Sequence, residues 1–464
     1  MRKKLRWLLV GMGIVMIVAV GAWSVWNVLA GVRMRAAIKD VESRRVPMRI
    51  ADVRLAPVPD EQNAALLLNR AFLLMAGGKT GPNAQMASLT GFESFWKKDP
   101  RKGVSAEDAV AIRALLDSPE IREILDLLHR AGERPSCDFG LDYSKGAEMP
   151  LPHLNRMRMA VRLLALESWS RAADGDAAGA IKAARCGLRI GGFGSSDGVL
   201  ISFLVAASSD ALTLNWAGVA LGQMDPAAVP AAELEALSAQ LAARRAEVRP
   251  AFVRALDLER LGFGVWTFEG LLSNRLRWSQ LLAHPRNGPP QLGQGAIEAS
   301  LTDSYVWLGR PLLKGDYAAY LGLMMRYQEL AAKPFEPTIM SDFEKLLREV
   351  PRSAILTRIA VPAYETCYKM AGEYEALLDV ARLGVVLEMH RARTGAYPAD
   401  LADMLGIGAL ARDPCSGGEL MYRPNAGGCR VWSVGADGKD DGGVRKGGGT
   451  NTHDIVWEVA RTGR

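Results

Sequence analysis

A chain of 464 residues with 49% hydrophobic and 23% charged side chains has room for more than one core and is too apolar to be disordered. Its net charge of +6 is spread over many segments instead of being massed with aromatics on one element, which argues against a nucleic-acid partner. Five cysteines without a Cys-x-x-Cys pair and five histidines without His-x-x-x-His spacing exclude the common zinc motifs.

The N-terminus opens with Arg2, Lys3, Lys4 and Arg6, then an uncharged run from Trp7 to Val32. A bilayer core needs ~20 apolar residues, and Trp7, Trp23 and Trp26 lie toward the ends, where indoles favour headgroups. Val28-Leu29-Ala30 offers small residues for signal cleavage, yet the run is longer than the ~7–15 residues of a signal core. The expectation is an uncleaved signal anchor, residues 1–32, with the short basic tail inside and the bulk of the chain outside the cytoplasmic membrane. Arg33, Arg35 and Lys39 on the far flank weaken the charge bias.

Helix is predicted to continue from Met34 to Arg45 and to end at Pro47. Pro57 to Ala65 reads as a helix entry with Asp60 as N-cap and Leu66, Leu67 and Phe72 turned inward. Ser105 and Asp108 have capping-box spacing. From Leu154 the positions Met157, Val161, Leu164, Ala165 and Trp169 recur at helical steps, with Glu167 and Arg171 as an i,i+4 pair. Asp174-Gly175-Asp176 breaks that helix, Gly175 supplying a left-handed residue and Asp176 a new cap. The break resembles one tetratricopeptide-type hairpin, although no 34-residue repeat recurs.

Further helices are expected from Leu200 to Leu221, from Pro230 to about Val248, and from Phe252 to Leu282. A Pro/Gly-rich linker is expected near 284–300, then helices over Leu301 to Ala332 and Ala354 to Arg393. Gly395 stops the last one. Pro398 starts a short helix with Leu401, Met404 and Leu405 inward. The period then changes to two: strands at Glu419 to Arg423 and Cys429 to Val434, and a third with Ile455, Trp457 and Val459 alternating. The fold class is therefore mainly α: an N-terminal transmembrane helix, an irregular or TPR-like helical body over 33–368, and a small α+β domain over 369–464 with a short antiparallel sheet.

The order of long helix, Tyr397-Pro398, Asp413-Pro414, hairpin, Ser433-x-Gly435-Ala436-Asp437-Gly438 and Asp454-Ile455 resembles the C-terminal domain of type II secretion major pseudopilins, over about 90 residues. That resemblance implies calcium held by Asp437 and Asp454, with Asp440 or Asp441 adding a carboxylate. Calcium takes six to eight oxygens at ~2.3–2.6 Å, which a Gly-rich acidic loop can supply. The competing reading is a solvated acidic turn neutralised by Lys439, Arg445 and Lys446. The span lacks the Phe-Thr-Leu opening and the Glu of a pilus subunit, so pilus assembly does not carry over. The layout as a whole, with Val58 to Ala65 opening a helical body, also resembles a class of large membrane-anchored bacterial proteins. It implies the inner membrane, a single pass and a bulk facing the periplasm or exterior, and it implies no particular activity.

Cys415 and Cys429 flank the hairpin and could bridge in an oxidising compartment, whereas Cys186 and Cys367 read as small core residues. No Gly-x-Ser-x-Gly elbow and no Walker loop occur. Glu259-Arg260 is the pair of most interest in the body, read first as a structural ion pair. Two functions stay open. One is a non-catalytic envelope protein whose body binds a protein partner under a calcium-stabilised cap. The other is an envelope hydrolase, which a cleft joining Glu259 to a second carboxylate would favour.

Overall fold

The computed structural model describes residues 2–53, 57–76, 103–277, 308–404, 408, 410–425, 427–444 and 454–461. The described chain is 72% helical. Its twelve α-helices are α1 Arg2–Ser43, α2 Ala64–Met75, α3 Ala106–Asp117, α4 Pro119–Gly132, α5 Pro152–Ala173 and α6 Ala177–Phe193. They continue with α7 Leu200–Gln223, α8 Ala231–Leu258, α9 Trp266–Leu272, α10 Arg310–Ala331, α11 Pro337–Glu349 and α12 Ile355–Thr394. The strands β1 Met421–Asn425, β2 Gly428–Ser433 and β3 Ile455–Ala460 form one antiparallel sheet in the order β1-β2-β3. The predicted linker at 284–300, Leu405 and most of the 444–452 segment lie outside the described residues.

Helix α1 has two halves. From Trp7 to Val20 its apolar side chains face outward all round, with Trp7 77% and Ile17 73% exposed. From Trp23 onward one face packs along α10 in parallel: the Trp23 indole donates to Leu308 O (2.7 Å), Lys314 Nζ donates to Asn27 Oδ1 (2.7 Å), and Arg44 pairs with Glu329 (2.8 Å). This N-terminal helix is long and apolar enough to cross a membrane. Helix α7 passes the same length and composition test with 67% of its apolar window buried, as a core helix would.

Two cores meet at the bundle of α5, α6 and α7. The first gathers Leu68, Phe72, Ile112, Ile124, Leu128 and Leu164 between α2, α3, α4 and α5. The second runs from Val41 through α8, α10 and α12 to the sheet. Helices α6 and α7 feed both, Ile190 and Trp216 on one side and Leu188, Leu214 and Leu221 on the other. An aromatic chain fills the second core: Phe203 to Phe252 (5.3 Å), Phe252 to Tyr368 (6.5 Å), Tyr368 to Phe343 (4.6 Å). Pairs at such spacing add about 1 kcal/mol each beyond burial. Salt bridges from Arg249 to Glu375 (2.7 Å) and Arg245 to Asp379 (2.9 Å) tie α8 to α12.

Most predicted punctuation is in place. Ser105 Oγ accepts from the Asp108 amide (3.1 Å), Gly175 has φ +84°, Asp176 accepts from the Gly179 amide (2.9 Å), and Gly395 ends α12 at φ +82°. Four expectations need correction. Asp60 opens a 3-10 turn, and the cap of α2 is Asn63, whose Oδ1 accepts from Ala65 N (3.0 Å) and from Asp138 N (2.9 Å). Leu66 is exposed, because the inward face of α2 is Ala64, Ala65, Leu68 and Phe72. The break expected between Val248 and Phe252 is absent: Pro250 lies inside α8, since burial of Val248, Ala251 and Phe252 outweighs one lost helical bond. After Pro398 the described residues form the 3-10 turn Leu401–Asp403 in place of the expected short helix.

The sheet lies directly on the helices. Trp457 of β3 sits over Gly384 of α12, where an added Cβ would fall 1.9 Å from the indole ring. Register places Trp457 opposite Val431 and Val459 opposite Cys429, so one face of β2 and β3 closes the second core. Position 369, where the sequence suggests a boundary, falls within α12, which runs unbroken from Ile355 to Thr394.

Candidate functional site

The four predicted metal ligands, Asp437, Asp440, Asp441 and Asp454, share one loop system. Asp454 is buried, and its carboxylate accepts from the amides of Asp441 (3.2 Å) and Gly443 (2.7 Å). Burial raises its pKa; the two amides oppose that, and the charges of Asp440 and Asp441 add to it. Asp440 is exposed and accepts from the Trp432 indole (2.9 Å) and the Gly442 amide (2.9 Å), bonds that hold its pKa low. Asp437 is exposed and closes a turn onto Lys439 N (3.2 Å). Among the described residues no three His, Cys, Asp or Glu side chains converge as a metal would require.

The other family-like motifs resolve into structural bonds. Asp413 has no exposed surface and accepts four hydrogen bonds: from Cys415 N (2.9 Å), Ser416 Oγ (3.0 Å), Ser433 Oγ (2.7 Å) and Val434 N (3.2 Å). It thereby staples the Asp-Pro loop to the end of β2. Tyr397 donates to Glu388, which also pairs with Arg461 (2.6 Å), so the Tyr-Pro stop is locked to the chain just past β3. Cys415 and Cys429 are buried free thiols, as are Cys186 and Cys367.

The body holds three polar clusters, and of their contacts only the Glu167–Arg171 pair is legible in the sequence. His129, Glu167 and Arg171 link α4 to α5, with His129 Nε2 2.8 Å and Arg171 Nε 2.9 Å from the Glu167 carboxylate. Asp197 accepts from Ser202 Oγ (2.7 Å) and Val199 N (2.9 Å), with His153 Nε2 3.2 Å away. Serine and histidine both address the same carboxylate here, so the group is not a nucleophilic triad, which needs the serine on the imidazole. Asp210 is fully buried between Arg244 (2.9 Å) and the Tyr374 hydroxyl; burial pushes its pKa up and those partners pull it back. Each cluster bonds one element to another.

Glu259 differs from all of these. Helix α8 passes at Leu258 into a π-helical segment, Glu259–Val265, before α9. A π-turn holds one extra residue and is common at functional sites. Arg260 points inward, fully buried, and donates to Pro47 O (2.6 Å) and Asp257 (3.2 Å). Glu259 instead lines a cavity of about 170 Å³ roofed by the segment Tyr143–Glu148. That roof is held by the Trp266 indole, which donates to Ser144 O (3.2 Å) and lies against Gly146. Gly146 has φ +52°, and a Cβ there would meet the indole at 2.4 Å, so glycine is required twice over.

The cavity walls are apolar: Ile50, Met149, Leu151, Val199 and Leu258, with Ile201 and Phe263 exposed beside the opening. A smaller hollow of about 20 Å³ continues past Tyr143 toward Asp197 and Arg254. Among the described residues no donor hydrogen-bonds the Glu259 carboxylate, and burial raises its pKa to about 7. The expected ion pair with Arg260 does not form: Arg260 bonds Pro47 O and Asp257, and Glu259 lines the cavity. Among the described residues no second carboxylate lines the cavity. An alternative hollow of about 250 Å³ between α7, α12 and β3 has Asp454 and Ile455 on its wall and is more open.

No protein-family model, no curated protein and no solved structure matches the chain.

Proposed function

We propose that the protein is a single-pass, membrane-anchored, non-catalytic protein of the bacterial inner membrane, with its helical body facing the periplasm or exterior and engaging a protein partner there. The supporting observation is the two-part character of α1. Its first half exposes apolar side chains on every side, a surface that only lipid covers without cost, while its second half is bonded to α10 through Trp23, Asn27 and Arg44. The run from Trp7 to Val32 is about 39 Å long at 1.5 Å per residue, enough for a ~30 Å hydrocarbon core, and where one face meets α10 the other stays apolar and exposed through Val25, Val28, Leu29 and Val32. The body would then stand on a rigid continuation of its anchor instead of a loose tether.

Membrane fractionation tests the anchoring. The full chain should stay in the pellet after alkaline carbonate and leave it only with detergent; recovery in the carbonate supernatant would sink the reading. Pull-down of the tagged chain from detergent-solubilised membranes then tests for a defined partner.

The calcium-stabilised, pseudopilin-like cap belongs to the same reading. It asks Asp440 and Asp441 to turn toward Asp454, whose pKa their charges already raise. Ligand binding to the folded state alone raises the melting temperature. Melting of the full chain with and without calcium should show such a rise, and identical curves would remove calcium from the account.

An envelope hydrolase is the second reading, and Glu259 in its cavity favours it: a carboxylic acid near pKa 7 suits general acid or base work. The missing second carboxylate counts against it, because hydrolytic sites of that kind use a pair.

A further inference from the structure

Three features of the Glu259 cavity bear on what it holds. First, its volume of about 170 Å³ is in the range of an apolar cavity known to take benzene, ~150 Å³. Second, its lining is aliphatic and thioether surface, with the exposed Phe263 and Ile201 beside the opening. Third, its acidic group, Glu259, is half-buried and has no hydrogen-bond donor among the described residues, while the buried carboxylates Asp210, Glu167 and Glu375 each have an arginine. An apolar pocket with one convergent polar group is the usual form of a small-molecule site, the polar group fixing the head of the ligand.

We infer that the cavity at Glu259 is a binding site for a small organic ammonium ion with an apolar body of about benzyl size. The carboxylate supplies the counter-charge to the ammonium, and the aliphatic walls take the body. A carboxylate ligand is repelled, and a neutral isostere loses the charge-assisted bond. The inference is independent of membrane anchoring.

The groups around Glu259 set its pH response. Tyr143 lines the cavity opposite it. Tyr320, Tyr364 and Cys367 lie behind it, close enough for its charge to raise their pKa values. On its own helical run Arg260 is turned onto Asp257 and Pro47 O, and Arg254 lines the neighbouring hollow. None of these supplies a cation inside the cavity. When the ammonium docks on protonated Glu259, the carboxyl proton leaves to solvent and the N–H donates to the carboxylate. Affinity therefore rises with pH through the neutral range, and binding releases a proton on the acid side of it.

The test uses the full chain in lipid nanodiscs, with empty nanodiscs as reference for partitioning, and calorimetric titration of benzylamine, benzyl alcohol and benzoate. At pH 8 benzylamine should bind at least about tenfold tighter than benzyl alcohol, and benzoate should not bind. At pH 5.5 the preference should shrink. Glu259→Gln should abolish the preference, bringing benzylamine down to the affinity of benzyl alcohol. Gly262→Leu should remove both ligands: a Cβ there meets only Ile50, at 3.7 Å, so the added side chain fills the cavity without displacing backbone. Equal affinity for amine and alcohol at pH 8, a preference that survives Glu259→Gln, or no binding by a chain that melts normally would each overturn the assignment.

Discussion

The acidic loop near the C-terminus and the cavity at Glu259 both set carboxylates against the protein interior, and they handle the charge in opposite ways. In the loop every well-placed carboxylate is spent: Asp413 on four donors, Asp454 on two amides, Asp440 on an indole and an amide. These bonds hold the sheet together. At Glu259 the fold supplies an apolar wall and, among the described residues, no donor, and the acid answers by holding its proton to about pH 7. The loop is rich in motif and structurally committed. The cavity has no motif and keeps its charge available for a ligand.

The comparison can be broken from either side. The largest effect is expected at Asp413→Ala, which strands the Cys415 and Val434 amides and the Ser433 hydroxyl in a closed core. The loss should be about 3–5 kcal/mol in denaturant unfolding, as for other buried networks stripped of their acceptor. A loss below about 1 kcal/mol would show that Asp413 is not the staple described.

Glu259→Gln should go the other way. A carboxyl whose pKa is near 4.3 unfolded and about 7 folded lends its full share of stability below the lower value, loses it as pH rises between them, and stays low above 7. Gln removes that penalty, so at pH 8.5 the variant should be more stable by about 3 kcal/mol, with no gain at pH 4. Equal stability at both values would place a partner on Glu259.

Asp454→Ala should cost about 2 kcal/mol, because two amides lose their acceptor where β3 begins. Asp437→Ala should cost less than about 0.5 kcal/mol without calcium, since that side chain is exposed and serves only a turn. If Asp437→Ala also left a calcium-induced rise in melting temperature intact, the ion would not sit where the resemblance implies.

What could be read from the sequence was whatever is local. The stops at Gly175 and Gly395, the caps at Ser105 and Asp176, and the switch to strand period, expected from Glu419 and found from Met421, depend on residues within a turn or two. Asp60, Leu66 and Pro250 were misleading because a distant partner decides each. Asn63 bonds to Asp138 across 75 positions, the inward face of α2 is set by the α4 helix, and the packing of α8 on α12 carries the chain through Pro250. The cavity at Glu259 was hidden for the same reason. It joins the turn after α1, the Tyr143–Glu148 roof, the start of α7 and the π-segment, which no window of sequence brings together. The one available signal was an acidic residue at the head of a Gly-rich helical stretch, Glu259 to Gly264, where widening is sterically cheap.

The most direct measurement of the contrast is an isotope-edited infrared titration of Glu259 in the full chain, following its protonated carbonyl band with Glu259→Gln as the blank. A midpoint near pH 7 is the result predicted for a carboxyl walled by apolar groups and left without a donor. A midpoint at the ordinary carboxylate value of ~4.3 would mean that the acid is solvated or paired, and the cavity would lose the group on which its role depends.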